Sequence, residues 1–269
     1  MRALLAGVSI IAVTTSSLLA TEQQPSAVAF RKACAAGDTN ACNNLAWMYA
    51  AGDGVPHDKA KAVALLRKAC TGGNAKGCAN LGVLYGKGEG AAQDKVKAAQ
   101  LYQRACNGGN ASGCFNLAQA YKAGEGVPQD KARAARLFKK ACDGGHAPGC
   151  NNLGMTYEKA EGVAPDMVKA AAFFQKACDG GNAPGCFKIG VMCAQGDGVP
   201  QDKAKAAAFF QKACDGGLVR GCHNLGVMYE RGEGVAPDAA KAAELYQKAC
   251  DNGGAAGCQA LEALKRTNP

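Results

Sequence analysis

The chain is poor in the side chains that carry most enzymatic chemistry. It has one Trp and three His among 269 residues, and beyond residue 20 its serines are Ser26 and Ser112. His57, His146 and His223 each stand alone, without the clustered spacing of a zinc site. No apolar run reaches the roughly 18 residues of a membrane span, and mean hydropathy is −0.14, which argues against an integral membrane protein. No block of Lys and Arg is present, and a net charge of +9 is modest for this length, so a nucleic-acid footprint is not indicated. A hydrophobic content of 48% excludes a disordered chain. What the sequence holds in excess is cysteine, 15 in all, together with 36 Gly.

The start of the chain reads as a leader. Arg2 precedes an apolar stretch from Ala3 to Val13, then a small and hydroxylated run from Thr14 to Ser17, and Ala20 stands before polar Thr21. This is the layout of a signal peptide over residues 1–20, with a retained N-terminal anchor as the alternative. Its removal sends the mature chain to the periplasm or outside the cell, an oxidising place where cysteines pair. A soluble monomer without metal or cofactor is expected.

The cysteines then show a period. Cys34, Cys70, Cys106, Cys142, Cys178, Cys214 and Cys250 are each 36 residues apart, and Cys42, Cys78, Cys114, Cys150, Cys186, Cys222 and Cys258 repeat the same step. A fixed period in this range signals a solenoid or an array. Six units cover 39–74, 75–110, 111–146, 147–182, 183–218 and 219–254. A half unit precedes them over 21–38 and a capping helix follows over 255–269.

Each unit reads as two helices. In the second unit, Leu81, Leu84 and Tyr85 form an i, i+3, i+4 stripe that stops at Gly88-x-Gly90. Asp94 then caps a second helix, as Asp58, Asp130, Asp166, Asp202 and Asp238 do at equivalent places. Leu45, Leu81, Leu117, Leu153, Ile189 and Leu225 form the core column of the first helices. The residue after each is Ala or Gly, from Ala46 to Gly226, which predicts close approach of the two helices. In the last half unit Glu262 and Lys265 take the places of the small residue and the tyrosine, as a polar cap requires.

A glycine-rich turn separates the two cysteines of each pair, as in Cys142-DGGHAPG-Cys150. A corner between antiparallel helices brings Cα atoms within the 4.4–6.8 Å a disulfide needs. Zinc is the competing use of paired cysteines, but structural zinc favours tighter spacing. Cys193 is left over. It stands in the column of Tyr49, Tyr85, Tyr121, Tyr157 and Tyr229 and reads as a buried free thiol. Two charged columns, Lys61 to Lys241 and Asp53 to Glu233, read as solvated faces that neutralise one another.

The run A-x-G-C-x-N-L-G-x-x-Y-x-x-G-x-G-V-x-x-D-x-x-K-A-A-x-x-x-x-K-A-C, well kept over Gly221 to Cys250, resembles the Sel-one-like repeat (SLR), a relative of the tetratricopeptide repeat. The Cys-x7-Cys in every unit is similar to the Helicobacter cysteine-rich proteins. The resemblance implies an all-α, right-handed α/α superhelical solenoid with one disulfide per repeat. It also implies either a protein-binding scaffold or, as the alternative for the cysteine-rich branch, a penicillin-binding protein with weak β-lactamase activity. The serine β-lactamase elements S-x-x-K, S-D-N and K-T-G are absent, so the hydrolase reading has no nucleophile to name.

The scaffold reading does have candidate residues. Four first-helix columns, beginning at 43, 47, 50 and 51, vary between units, and an asparagine column runs beside them. By similarity to the tetratricopeptide repeat these line a concave groove. Phe115, Asn116, Gln119, Lys122, Asn151, Asn152, Met155, Glu158, Phe187 and Lys188 are the candidates there. Phe115 and Phe187, taken as exposed beside Lys122 and Lys188, would hold an amphipathic or acidic protein or peptide, or a peptidoglycan- or β-lactam-like small molecule. The competing readings are packing between units for the phenylalanines and backbone bonding for the asparagines.

Overall fold

The structure, a computed structural model, describes residues 27–267. The leader expected over 1–20, the start of the half repeat and the last two residues of the cap lie outside the described residues. Those described form fourteen α-helices and no strand. After α1 (Ala27–Ala35) come six helix pairs, from α2 (Thr39–Ala51) and α3 (Lys59–Thr71) to α12 (Val219–Arg231) and α13 (Ala239–Asp251), and then α14 (Ala255–Thr267).

The local signals act where the sequence places them. All six aspartates cap second helices, each accepting a hydrogen bond from the amide three residues on at 2.8–3.0 Å. That satisfies one of the amides that a helix start leaves free. First helices mostly end on a left-handed glycine such as Gly88 (φ 73°). Ala160 takes that role with φ 56°, the sole positive-φ residue other than glycine among the described residues.

The second glycine of each loop serves the stack. A Cβ on Gly90 would clash with the carbonyl oxygen of Lys59, at the start of the preceding repeat's second helix. The loop therefore lies directly on that helix. Beside it Lys59 pairs with Glu89 at 2.8 Å, Lys95 with Glu125 at 3.1 Å and Lys203 with Glu233 at 3.0 Å. Glu89, Glu125 and Glu233 of the acidic column thus clamp their loops to the preceding repeat and do not pair with the Lys61 column.

The small residues after the core leucines make room for rings. A Cβ on Gly82 would meet Tyr102 at 2.6 Å, and one on Gly154 would meet Phe174 at 2.7 Å. Phe138, Phe174 and Tyr246, on the second helices α7 (Lys131–Asp143), α9 (Met167–Asp179) and α13, are fully buried. Each contributes roughly 1.5–3 kcal/mol by burial. At the far end Leu261 and Leu264 are buried while Glu262 and Lys265 face water, as a cap requires.

Seven disulfides join the repeats: Cys34–Cys42, Cys70–Cys78, Cys106–Cys114, Cys142–Cys150, Cys178–Cys186, Cys214–Cys222 and Cys250–Cys258. Their Cα–Cα distances are 4.4–4.7 Å. Each joins the last turn of one helix to the first turn of the next, at the corner where a repeat begins. Cys193 is unpaired and buried.

Candidate functional site

First helices of successive repeats touch one another, α2 with α4 (Ala75–Lys87), and α4 with α6 (Ala111–Ala123). Second helices pack mainly on the first helices that flank them. The first helices are therefore the more closely spaced row, on the inner side of the stack.

A concavity of about 610 Å3 opens on this row, between the end of α4, α5 (Lys95–Asn107), α6 and α8 (Ala147–Glu158). Asn116, Gln119, Lys122, Asn152 and Met155 line it together with Gly86, Lys95, Ala98, Tyr102, Ala120, Ala123 and Glu125. Five of the ten candidate residues thus converge on one site. Asn152 donates to Gln119 at 3.4 Å, and Lys122 pairs with Glu161 at 2.6 Å. Lys95 and Glu125 pair on the other rim, so the site carries both charges without a strong excess. Burial and the nearby Glu125 raise the pKa of Tyr102, which keeps its phenol protonated and able to donate.

The other candidates go elsewhere. Phe115 and Phe187 are half-buried rather than exposed. Phe115 packs 5.8 Å from Phe138 and 4.6 Å from the His146 ring, and Phe187 packs 5.6 Å from Phe210. Phe115 and Phe187 thus turn toward the second helix of their own repeat, where ring contact gains more than exposure to water. Glu158 and Lys188 are spent on each other at 2.9 Å. Asn151 is half-buried, with its Oδ1 buried and unpaired.

Three members of the asparagine column, Asn44, Asn80 and Asn152, bond side chains rather than backbone, with Asn80 donating to Asn43 across the repeats at 2.9 Å. The lysine column is not a plain solvated face. Lys61, Lys97, Arg133, Lys169 and Lys241 lie 4.3–5.5 Å from the ring centroids of Tyr49, Tyr85, Tyr121, Tyr157 and Tyr229. This is cation–π range.

Sequence reasoning left Tyr102, Lys95 and Glu125 out of the site because they belong to second helices or loops. The 20-residue offset from Gly82 to Tyr102 was the available signal. Trp47, first in the variable column that holds Gln119 and Met155, lies outside this concavity. It is 61% exposed and lines a second concavity of about 440 Å3 with Phe30, Asn43, Asn44 and Asn80 on the same row.

No serine, cysteine or histidine lines the 610 Å3 concavity. His146 caps α8 through Nδ1, which accepts from the Gly149 amide at 3.1 Å. Burial lowers its pKa, consistent with the neutral ring that role requires. His223 packs on Tyr246 at 5.5 Å, and His57 is exposed. Among the described residues no group of three His, Cys, Asp or Glu could hold a metal ion, and no helix is long and apolar enough to cross a membrane.

Comparison with known proteins agrees with this architecture. The Sel1 repeat model matches residues 39–74, 75–110, 111–146, 147–182, 183–218 and 219–254. The crystal structure of c5321, a protective antigen of uropathogenic Escherichia coli strains displaying an SLR fold, is 31% identical with a TM-score of 0.82. That match covers 90% of this chain and 52% of c5321, so this chain spans about half its length. A Sel1 repeat protein from Oxalobacter formigenes shares the fold at 20% identity and a TM-score of 0.70, over 84% of this chain and 97% of that one. Helicobacter pylori cysteine rich protein B is 32% identical over 48% of this chain and 93% of its own, with a TM-score of 0.40. No curated protein matches the chain. With six consecutive repeats matched over most of its length, the chain belongs to the Sel1 repeat family.

Proposed function

We propose that this protein is an extracytoplasmic, monomeric, disulfide-stapled scaffold that binds an extended segment of a partner protein along its row of first helices. The observation that carries the reading is the convergence of Asn116, Gln119 and Asn152 with Tyr102 and Met155 in one open concavity. Each side-chain amide both donates and accepts, which matches the alternating N–H and C=O of an extended peptide. Met155 and Tyr102 supply apolar contact, and Trp47 offers an exposed aromatic anchor further along the row. The balanced Lys and Glu pairs at the rim favour a peptide of mixed charge over a polyanion. Seven disulfides support an oxidising compartment.

The test is panning of a random dodecapeptide library on the disulfide-intact protein, with a Gln119→Ala/Asn152→Ala variant as counter-target. The expected result is a set of peptides that bind the parent at least tenfold tighter than the variant. Peptides indifferent to the variant would contradict the site. Nitrocefin turnover that falls in the same variant would replace the scaffold reading with the hydrolase one.

A further inference from the structure

The tyrosine column contains its own comparison. In five repeats a tyrosine near the end of the first helix lies under a cation from the second helix. In the fifth repeat Cys193 takes the tyrosine's place while the cation, Lys205, is kept. A concavity of about 670 Å3 opens there between α9 and α11 (Lys203–Asp215), over the first-helix residues Ile189 and Cys193. The corresponding concavity beside Tyr49 and Lys61 measures about 390 Å3. The walls at Cys193 are Val168, Ala171, Ile189, Val199 and Phe209, and the thiol at the floor is 5% exposed and unpaired.

Lys205 pairs with its own cap Asp202 at 3.2 Å. Lys61 and Lys169 make the same pair with theirs and still cover a ring, so Lys205 remains available to one. Where Tyr49 and Tyr85 direct their hydroxyls, Arg31 and Arg67 donate at 2.9 and 2.8 Å. The fifth repeat has Gln175 there, also lining the concavity. Its amide donates one bond to Asp179 and keeps a second N–H and its oxygen. The place therefore retains apolar walls, a cation for a ring face and a polar group for a hydroxyl, and lacks only the ring. Burial raises the pKa of Cys193, so the thiol stays protonated and the site binds rather than reacts.

We propose that this concavity binds one phenol ring of a small monocyclic aromatic compound, seated against Cys193 where the other repeats carry their own tyrosine. The probe is p-cresol, added to the disulfide-intact full chain. At roughly ten times its Kd it should slow alkylation of Cys193 by iodoacetamide about tenfold and raise Tm by on the order of 3 °C. Cys193→Ala should keep the Tm rise. Cys193→Tyr, or Cys193→Leu if the tyrosine variant does not fold, fills the space and should abolish it. Toluene, which lacks the hydroxyl, should bind several-fold more weakly. The proposal is overturned if p-cresol gives neither protection nor a Tm shift, or shifts the filled variants equally. It is also overturned if a tyrosine-containing peptide protects Cys193 and free p-cresol does not, because the occupant is then a partner's side chain.

Discussion

At the corner between repeats, each 36-residue step from Cys34 to Cys250 repeats the same arrangement: a cysteine, a glycine-rich turn and a second cysteine bonded to the first. On the face of the first helices the same step from Trp47 gives Val83, Gln119, Met155, Val191 and Val227. Both places recur with the same geometry, so the backbone does not cause the difference. A corner residue must meet its partner within bonding distance, and a core residue must fill a space that its neighbour leaves. A side chain on the open face is fixed only in part by its neighbours: Gln119 is exposed, while Met155 and Val191 are partly buried against the core. The stack thus separates a frame held by the period from a face whose residues vary from repeat to repeat, as a quasi-one-dimensional fold permits.

Substitutions can break that comparison in graded steps. The largest effect is expected from Phe174→Ala in the frame, which removes a fully buried ring and should cost about 3–5 kcal/mol in guanidinium denaturation. Removing the Cys142–Cys150 bridge with paired alanines opens a link eight residues long and should cost about 2–3 kcal/mol. Asp130→Ala, which loses the bond to the Arg133 amide at 2.8 Å, should cost about 1 kcal/mol.

The caps also predict a pH dependence. Hydrogen bonds from the amides of Lys61, Lys169 and Lys205 are the largest cause holding the carboxyls of Asp58, Asp166 and Asp202 below their ordinary pKa. A carboxyl with a depressed folded pKa stabilises above its unfolded value, near 3.9, and loses that contribution as pH falls through the folded value. Melting followed by circular dichroism should therefore show the steepest loss of Tm below about pH 4. The smallest effect has the opposite sign. Ala160→Gly relieves the positive φ of 56° and should stabilise by about 0.5–1 kcal/mol.

The frame was readable in the sequence because every frame residue recurs. Spacing alone located the cysteine pairs, the aspartate caps and the polar end at Glu262 and Lys265. The face was half readable. Gln119, Lys122 and Met155 stand where variability placed them, but Phe115 and Phe187 are drawn into ring contacts with the second helices, which a single-helix pattern does not encode. Tyr102 entered the site for the same reason, because helix pairing rather than sequence proximity carries it there. The stacking of the lysine column on tyrosines was hidden by reading charge without the ring a dozen residues earlier. Cys193 was visible as an exception to its column. The space beside it was not, because a cavity depends on what its neighbours fail to fill.

One guanidinium titration tests the division between frame and face most directly. It compares the four-site variant Asn116→Ala/Gln119→Ala/Lys122→Ala/Asn152→Ala with the variant lacking only the Cys142–Cys150 bridge. The four face substitutions together should cost about 1 kcal/mol, in line with surface changes and the modest worth of exposed ion pairs. The single missing bridge should cost about 2–3 kcal/mol. A four-site variant less stable than the bridge variant would contradict the account, because the face would then be part of the frame.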